Sequence, residues 1–303
     1  KKGNGFEGKY IKLTIDLDMT NPKFTGIGDG DLVNGKWSTK EFKGNFDGDN
    51  HNVKLCVNKS YMAGLFNASS GTIKNVTTSG IVYTQNRVAG GVVGYLNGGT
   101  VENVTNNAFV TGKFKETDIL AGKGHIGGVV GFINKGEVIN SINNGSIFGS
   151  VTNFGDKQGV GGVIGTVEEG VTALDNLTNN GYVYNRGYNT GGVIGLLRRG
   201  KNFKTSKLYN HGIVIGKTNT GGVIGVLNYS NTTIDDVHNY GDIKGTNYVG
   251  GVIGALGYDG NRTSTLSNST NDGKVEATLE DTKGGYRCGG IAGMAYGLSL
   301  IHI

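Results

Sequence analysis

The chain has 303 residues, of which 57 are Gly and only one is Pro. That balance excludes a collagen-type triple helix, and Val, Ile and Leu recurring at fixed places exclude disorder. Only 17% of the residues are charged and the net charge of +5 is scattered, so no nucleic-acid partner is expected, and no apolar run reaches the roughly 18 residues of a membrane span.

Residues 1–60 read as N-terminal capping strands. Tyr10 to Met19 alternates apolar and polar residues, the period of a half-buried strand. A Gly/Asp/Asn loop follows, then Phe42–Gly48 and a second alternating stretch at Asn52–Val57. A stack of repeats needs such a cap to close its first edge.

Residues 61–297 form a repeat array. G-G-V-V-G occurs at Gly90–Gly94 and Gly127–Gly131, and G-G-V-I-G at Gly161–Gly165, Gly191–Gly195, Gly221–Gly225 and Gly250–Gly254. A-G-L-F-N at Ala63–Asn67 is a degenerate first copy, and G-G-I-A-G at Gly289–Gly293 is the last. The second residue of each copy stands at 64, 91, 128, 162, 192, 222, 251 and 290, so the steps centre on 30 residues. Longer steps imply loop insertions, placed at Lys113–Lys123, Gly149–Gln158 and Tyr258–Thr263.

Each unit continues in the same order. An aliphatic residue follows two places after the motif (Leu96, Ile133, Val167, Leu197, Leu227, Leu256). Then come two aliphatics three apart: Ile73/Val76, Val101/Val104, Ile139/Ile142, Leu174/Leu177 and Ile234/Val237. Asn-x-Gly-x-Val/Ile closes the unit at Asn143, Asn179, Asn210, Asn239 and Asn271, with Asn106 starting a variant that has Ala for Gly.

Short aliphatic strands broken by Gly and Asn, with no helical stretch, predict an all-β fold: a parallel β-helix or β-solenoid with turns of about 30 residues. A spacing of three between inward residues does not fit a flat strand and predicts a corner. The first Gly of each pair is expected at positive φ, and the third is expected to lie where the cross-section has no room for a Cβ. The recurrent Asn should form a ladder, each amide bonding its neighbour one turn away, and should suit a left-handed turn. Cys56 and Cys288 lie at opposite ends of the array and are expected to be free, buried thiols.

Candidate chemistry is thin. Gly3/Gly5/Gly8 and Gly122/Gly124/Gly127 match G-x-G-x-x-G, but a chain this rich in Gly produces such matches by chance, and neither opens a helix. Gly212–Thr218 misses the phosphate-binding loop pattern by one residue. Asp29, Asp31, Asp47, Asp49 and Asn50 offer oxygens to calcium without EF-hand spacing, so Asp-Gly turns explain them better. Arg198, Arg199, Lys201, Lys204 and Lys207 form the densest basic cluster, read as a solvated loop. Asp235, Asp236 and Asp242 would need to converge with Arg198 or Arg199 to make a lyase-type site. Tyrosines 182, 184, 188, 209, 229, 240, 248 and 258 could stack as an aromatic track for glycans or a protein, though β-propensity alone accounts for them. No catalytic, cofactor-binding or metal-binding residue is assigned.

Ala63–Asn67 followed by Thr72–Val76, then the serial G-G-V-I-G and Asn-x-Gly units and the cap segments Tyr10–Asp18 and Phe42–Asp49, resemble the GLUG-motif repeats of bacterial surface proteins, over roughly residues 5–297. The resemblance implies an exported, adhesin-like protein. The same repeats precede the catalytic part of immunoglobulin-A-cleaving metallopeptidases, whose H-E-x-x-H signature no His of this chain begins. Leu298–Ile303 resembles a translated sequencing adapter, so residues 298–303 are expected to be a non-native tail, and any export signal is expected to precede Lys1. The function expected is a non-catalytic, monomeric extracellular or cell-surface segment, a rigid spacer or extended binding face for host or matrix glycans or proteins. The alternatives are an accessory region of a surface metallopeptidase, or a glycan-cleaving β-helix enzyme.

Overall fold

A computed structural model describes residues 5–33, 36–112, 124–150, 158–198, 201–228, 231–256, 264–278 and 287–295. The insertions placed at Lys113–Lys123 and Tyr258–Thr263, most of the one at Gly149–Gln158, and the 298–303 tail lie outside them. The described residues are all-β, with no helix. Their strands form a 24-stranded and an 8-stranded sheet, both parallel, and one antiparallel hairpin, Asp29–Val33 with Lys36–Lys40.

The register is set by the repeat. In the 8-stranded sheet Gly90 pairs with Gly127, and the series continues through Gly161, Gly191, Gly221 and Gly250 to Gly289. In the larger sheet Leu96, Ile133, Val167, Leu197, Leu227 and Leu256 pair in sequence. Each pass of the chain therefore lies over the previous one at the sheet spacing of about 4.8 Å, giving a β-helix-like stack. Its main core is one continuous cluster, mostly aliphatic with a few phenylalanines, running from Phe42 to Leu256. Each fully buried Leu or Ile contributes about 1.5–3 kcal/mol of transfer free energy.

The N-terminal strands join the same stack. Tyr10–Lys12 pairs with Asn45–Asp47, which pairs with Thr72–Lys74. Leu17–Met19 pairs with Asn52–Lys59 and that strand with Thr77–Thr84. The expected single strand from Tyr10 to Met19 is thus two, because the pass above it turns between Asp47 and Asn52 with Asp49 and Asn50 at positive φ. Phe42, Phe46 and Phe66 fill the core here, with ring centroids 4.9 and 5.1 Å from Phe66.

The corner between paired aliphatics is present in every pass, and one residue in it takes the left-handed conformation: Asn75, Asn103, Asn140, Asn176, Lys207, Asp236 and Asn268, with φ from 46 to 55°. Asn tolerates this region better than most residues. At Ile139/Ile142 the expected pair is displaced by one: Val138 and Ser141 face inward, and Ile142 is 38% exposed. Asn140 occupies the left-handed position, so Val138, two places before it, and Ser141, one place after it, straddle the corner in place of the two isoleucines.

The first glycines of the motif do not take positive φ, contrary to expectation. They are required by close approach. A Cβ on Gly221 would strike the Ile224 carbonyl and the Gly254 amide, and one on Gly222 would strike the Asn239 side chain and the Gly251 carbonyl. The third glycine behaves as expected, since a Cβ on Gly225 would meet the backbone of Thr190 and Gly195.

The Asn ladder is continuous. Asn106 Nδ2 donates to Asn143 Oδ1 at 2.8 Å, Asn143 to Asn179 at 2.7 Å, Asn179 to Asn210 at 2.8 Å, Asn210 to Asn239 at 2.7 Å and Asn239 to Asn271 at 2.7 Å. Each ladder amide also donates to the carbonyl two residues on, as Asn179 does to Gly181 at 2.8 Å. The Thr78 hydroxyl donates to Asn106 at 2.9 Å and begins the row. Left-handed Asn and ladder Asn are different residues, three positions apart.

Both cysteines are free, as expected, but both are exposed. Cys56 lies in Asn52–Lys59, where Val53, Leu55 and Val57 point inward and Lys54 and Cys56 outward. The period-2 alternation of that strand decides its side against the general preference of Cys for interiors.

Candidate binding face

The candidate catalytic and metal residues do not converge. Asp235 accepts hydrogen bonds from Ser267 at 2.7 Å and Asn268 at 2.8 Å, and Asp242 from the Lys274 amide at 2.9 Å. Arg198 is buried against Glu168 in an ion pair, and Arg199 lies outside the described residues. A lyase-type meeting of these carboxylates with Arg198 is therefore absent, and the basic cluster is divided between a buried Arg and exposed Lys204 and Lys207.

The Asp-rich N-terminal turns are likewise committed internally. Asp49 pairs with Lys12 at 3.0 Å and Asp29 with Lys59 at 3.1 Å. Asp47 is buried and accepts from Asn75 Nδ2 at 3.0 Å, the Tyr10 hydroxyl at 2.8 Å and the Asp49 amide at 3.0 Å. The Asn75 bond above all, then the Tyr10 and Asp49 bonds and the Lys74 charge, hold its carboxyl well below the usual range against the opposing effect of burial. Among the described residues no three His, Cys, Asp or Glu side chains gather as a metal site.

The outer face after the left-handed corner is different. Here successive strands carry residues in columns: Thr111, Phe148, Tyr184, Ile215 and Lys244 pair one above the next. Phe109 packs edge-on against Phe148 at 5.3 Å, and Phe148 lies 5.7 Å from Tyr182 and 5.5 Å from Tyr184. Tyr182 and Tyr184 are nearly parallel at 13°, with centroids 6.4 Å apart. An exposed second amide row, Asn180 to Asn144 to Asn107 at 2.8 and 2.9 Å, runs along its border.

The expected tyrosine track divides. Tyr182 and Tyr184 join the platform with two phenylalanines that a search for tyrosine alone overlooks. Tyr209 and Tyr240 instead belong to a self-contained cluster: Tyr209 stacks on His238 at 5.7 Å, and Tyr240 on His211 at 4.7 Å. His238 sits between the Asp236 carboxylate at 2.9 Å and the Thr270 hydroxyl at 2.7 Å, and Tyr209 donates to Asp236 at 2.9 Å. Burial, and then that hydrogen bond, push the Tyr209 phenol up to about 12. Tyr248 packs against Leu196, Val226, Ala255 and Met294, and Arg287 lies over its ring at 5.4 Å. Tyr188 is half-buried, and positions 229 and 258 are outside the described residues. Spacing along the chain could have found the platform, since Phe148 and Tyr184 each stand at the last residue but one of their strands.

No protein-family model matches the chain, and no curated protein matches it. Among solved structures it is similar to that of a proposed immunoglobulin A1 protease from Bacteroides ovatus, at 17% identity and a TM-score of 0.54, over 96% of this chain and 78% of the other. At that identity the likeness is one of fold: the chain shares its parallel all-β architecture with a bacterial protein.

Proposed function

We propose that this chain is a non-catalytic segment of an exported bacterial surface protein, a β-solenoid of GLUG-type repeats that serves as a rigid spacer with an extended binding face. The observation that carries this reading is the continuity of register. Each pass hydrogen-bonds to the pass before and after it, so length grows by repetition without a new core. Residues 1–60 cap one end of the stack and residues 61–297 form its body. The acidic side chains named above being bound to neighbours favours a scaffold over a glycan-cleaving enzyme.

A second reading, the accessory region of a large surface peptidase, draws on the likeness to the Bacteroides ovatus chain. Small-angle scattering of the purified chain, with incubation against immunoglobulin A1, separates the readings. A rod-like particle that leaves the immunoglobulin intact is expected; cleavage by this chain would refute the non-catalytic assignment, and a compact particle the spacer. Recovery of the complete gene, with H-E-x-x-H downstream, would favour the second reading.

A further inference from the structure

We infer that the Phe109, Phe148, Tyr182 and Tyr184 platform binds a neutral polysaccharide chain laid along the stack axis. The inference rests on the binding-face part of the reading above and assigns its ligand class. Three observations carry it.

The first is the availability of ring surface. Phe109, Phe148, Tyr182 and Tyr184 are all half-buried, and Phe148 meets its neighbours at 43 to 63°. Tyr182 and Tyr184, though parallel, are 6.4 Å apart, too far to cover one another's faces. The rings of His211 and Tyr240, in contrast, lie at 7° and 4.7 Å and occupy each other's faces. The platform rings leave their faces to the C–H face of a sugar, whereas Tyr240, though 45% exposed, has one face taken by His211.

The second is charge. Within the segments Thr77–Thr84, Thr105–Gly112, Ile142–Phe148 and Thr178–Tyr184, every outward residue is Thr, Ser, Asn, Gly, Ile, Phe or Tyr. An anionic polymer finds no cation within these segments and a basic segment no carboxylate; exposed Arg186 and, further along the column, Lys244 lie beyond them. The amides of Asn144 and Asn180 each use one of two N–H donors on the ladder, leaving a donor and carbonyl lone pairs suited to hydroxyls.

The third is backbone geometry. These strands lie inside the sheet, paired on both sides. A peptide cannot add to them by strand pairing, which needs an open edge. What remains on offer is a short row of rings and amides across three successive passes, about 4.8 Å apart, which suits a stretch of a linear polymer with apolar faces and hydroxyl edges.

The test is affinity electrophoresis of the chain through gels containing hydroxyethyl cellulose, galactomannan or arabinogalactan, with polygalacturonate as the anionic probe and immunoglobulin A as the protein probe. We expect retardation by at least one neutral polysaccharide, weakened at least ten-fold by Phe148→Ala and Tyr182→Ala and unchanged by Tyr240→Ala. Ser146→Lys, an outward substitution that leaves the core untouched, should weaken it similarly, and circular dichroism verifies the fold of each variant. No retardation by any neutral gel, retention by the anionic or protein probe alone, or binding indifferent to Phe148 and Tyr182 overturns the inference. Any of these leaves the spacer reading, judged by scattering, standing.

Discussion

Replacing Asn179 by Ala removes four hydrogen bonds from a fully buried site. Asn179 Oδ1 accepts from Asn143 Nδ2 at 2.7 Å and from the Gly181 amide at 3.2 Å; its Nδ2 donates to Gly181 O at 2.8 Å and Asn210 Oδ1 at 2.8 Å. The partners stay behind in a place water does not reach. A buried polar group left unsatisfied costs about 1–3 kcal/mol, so with partial relaxation the loss should reach at least about 3 kcal/mol, a large share of the about 5–15 kcal/mol that holds a domain folded. Asn180 provides the control. It donates to Asn144 at 2.8 Å in the same kind of ladder, one residue away, but is exposed. Water replaces that bond, and Asn180→Ala should cost below about 0.5 kcal/mol. Urea titration of both variants, comparing midpoints and m-values, measures the difference. Asn179→Asp adds a second check: it keeps the acceptor for Asn143 but sets a carboxylate against Asn210 Oδ1, so its deficit should shrink on acidification as the acid regains a proton to donate. If Asn179→Ala falls within about 1 kcal/mol of Asn180→Ala, burial is not what gives the inner ladder its value, and the reasoning fails.

Gly222→Ala should destabilise by more than the roughly 1–3 kcal/mol of ordinary overpacking, because its Cβ meets the Asn239 amide and a backbone carbonyl; thermal melts indistinguishable from the parent would contradict this. Cys56 and Cys288 should both react with a thiol reagent in the native protein, since both are exposed, and reaction only after denaturation would show the outward placement to be wrong. Asp47, whose carboxyl is held below its ordinary value, stabilises the fold at pH above its unfolded value near 3.9 and loses that contribution as pH falls towards its folded value. Asp47→Asn should therefore flatten the acid limb of the stability curve, and equal acid sensitivity in both proteins would remove Asp47 from that role. Tyr95, pushed up to about 12 by burial and then by Glu41 and Glu168, should remain un-ionised at pH 11 while exposed tyrosines titrate, and Tyr95→Phe should leave the amplitude at 295 nm unchanged at that pH.

The repeat period made the stack and its register legible in the sequence, because a Gly or Asn that recurs every 30 residues can only be aligned one way. Asn143, Asn179, Asn210 and Asn239 were readable as a ladder for the same reason. What escaped was conformational detail that periodicity does not encode. The motif glycines avoid steric contact without left-handed backbone, and the left-handed corner falls on Asn176 or even Lys207, whose side chain gives no hint of it. The frame at Ile139 was lost because two isoleucines stood one place off the inward positions. The aromatic platform was partly hidden because its members are Phe in some passes and Tyr in others, and only stacking the passes brings Phe148 beside Tyr184.

The inner amide row has a direction. Every Nδ2 from Asn106 to Asn239 points its inter-pass donor towards the next pass, and Thr78 supplies the first proton. Two such stacks joined end to end in the same sense could continue the row. Joined in opposite senses they would set donor against donor or acceptor against acceptor at the seam. The polarity of a single column of side chains thus restricts fusion, duplication or designed extension of this molecule to head-to-tail order, independently of how well the aliphatic core would tolerate the reversal.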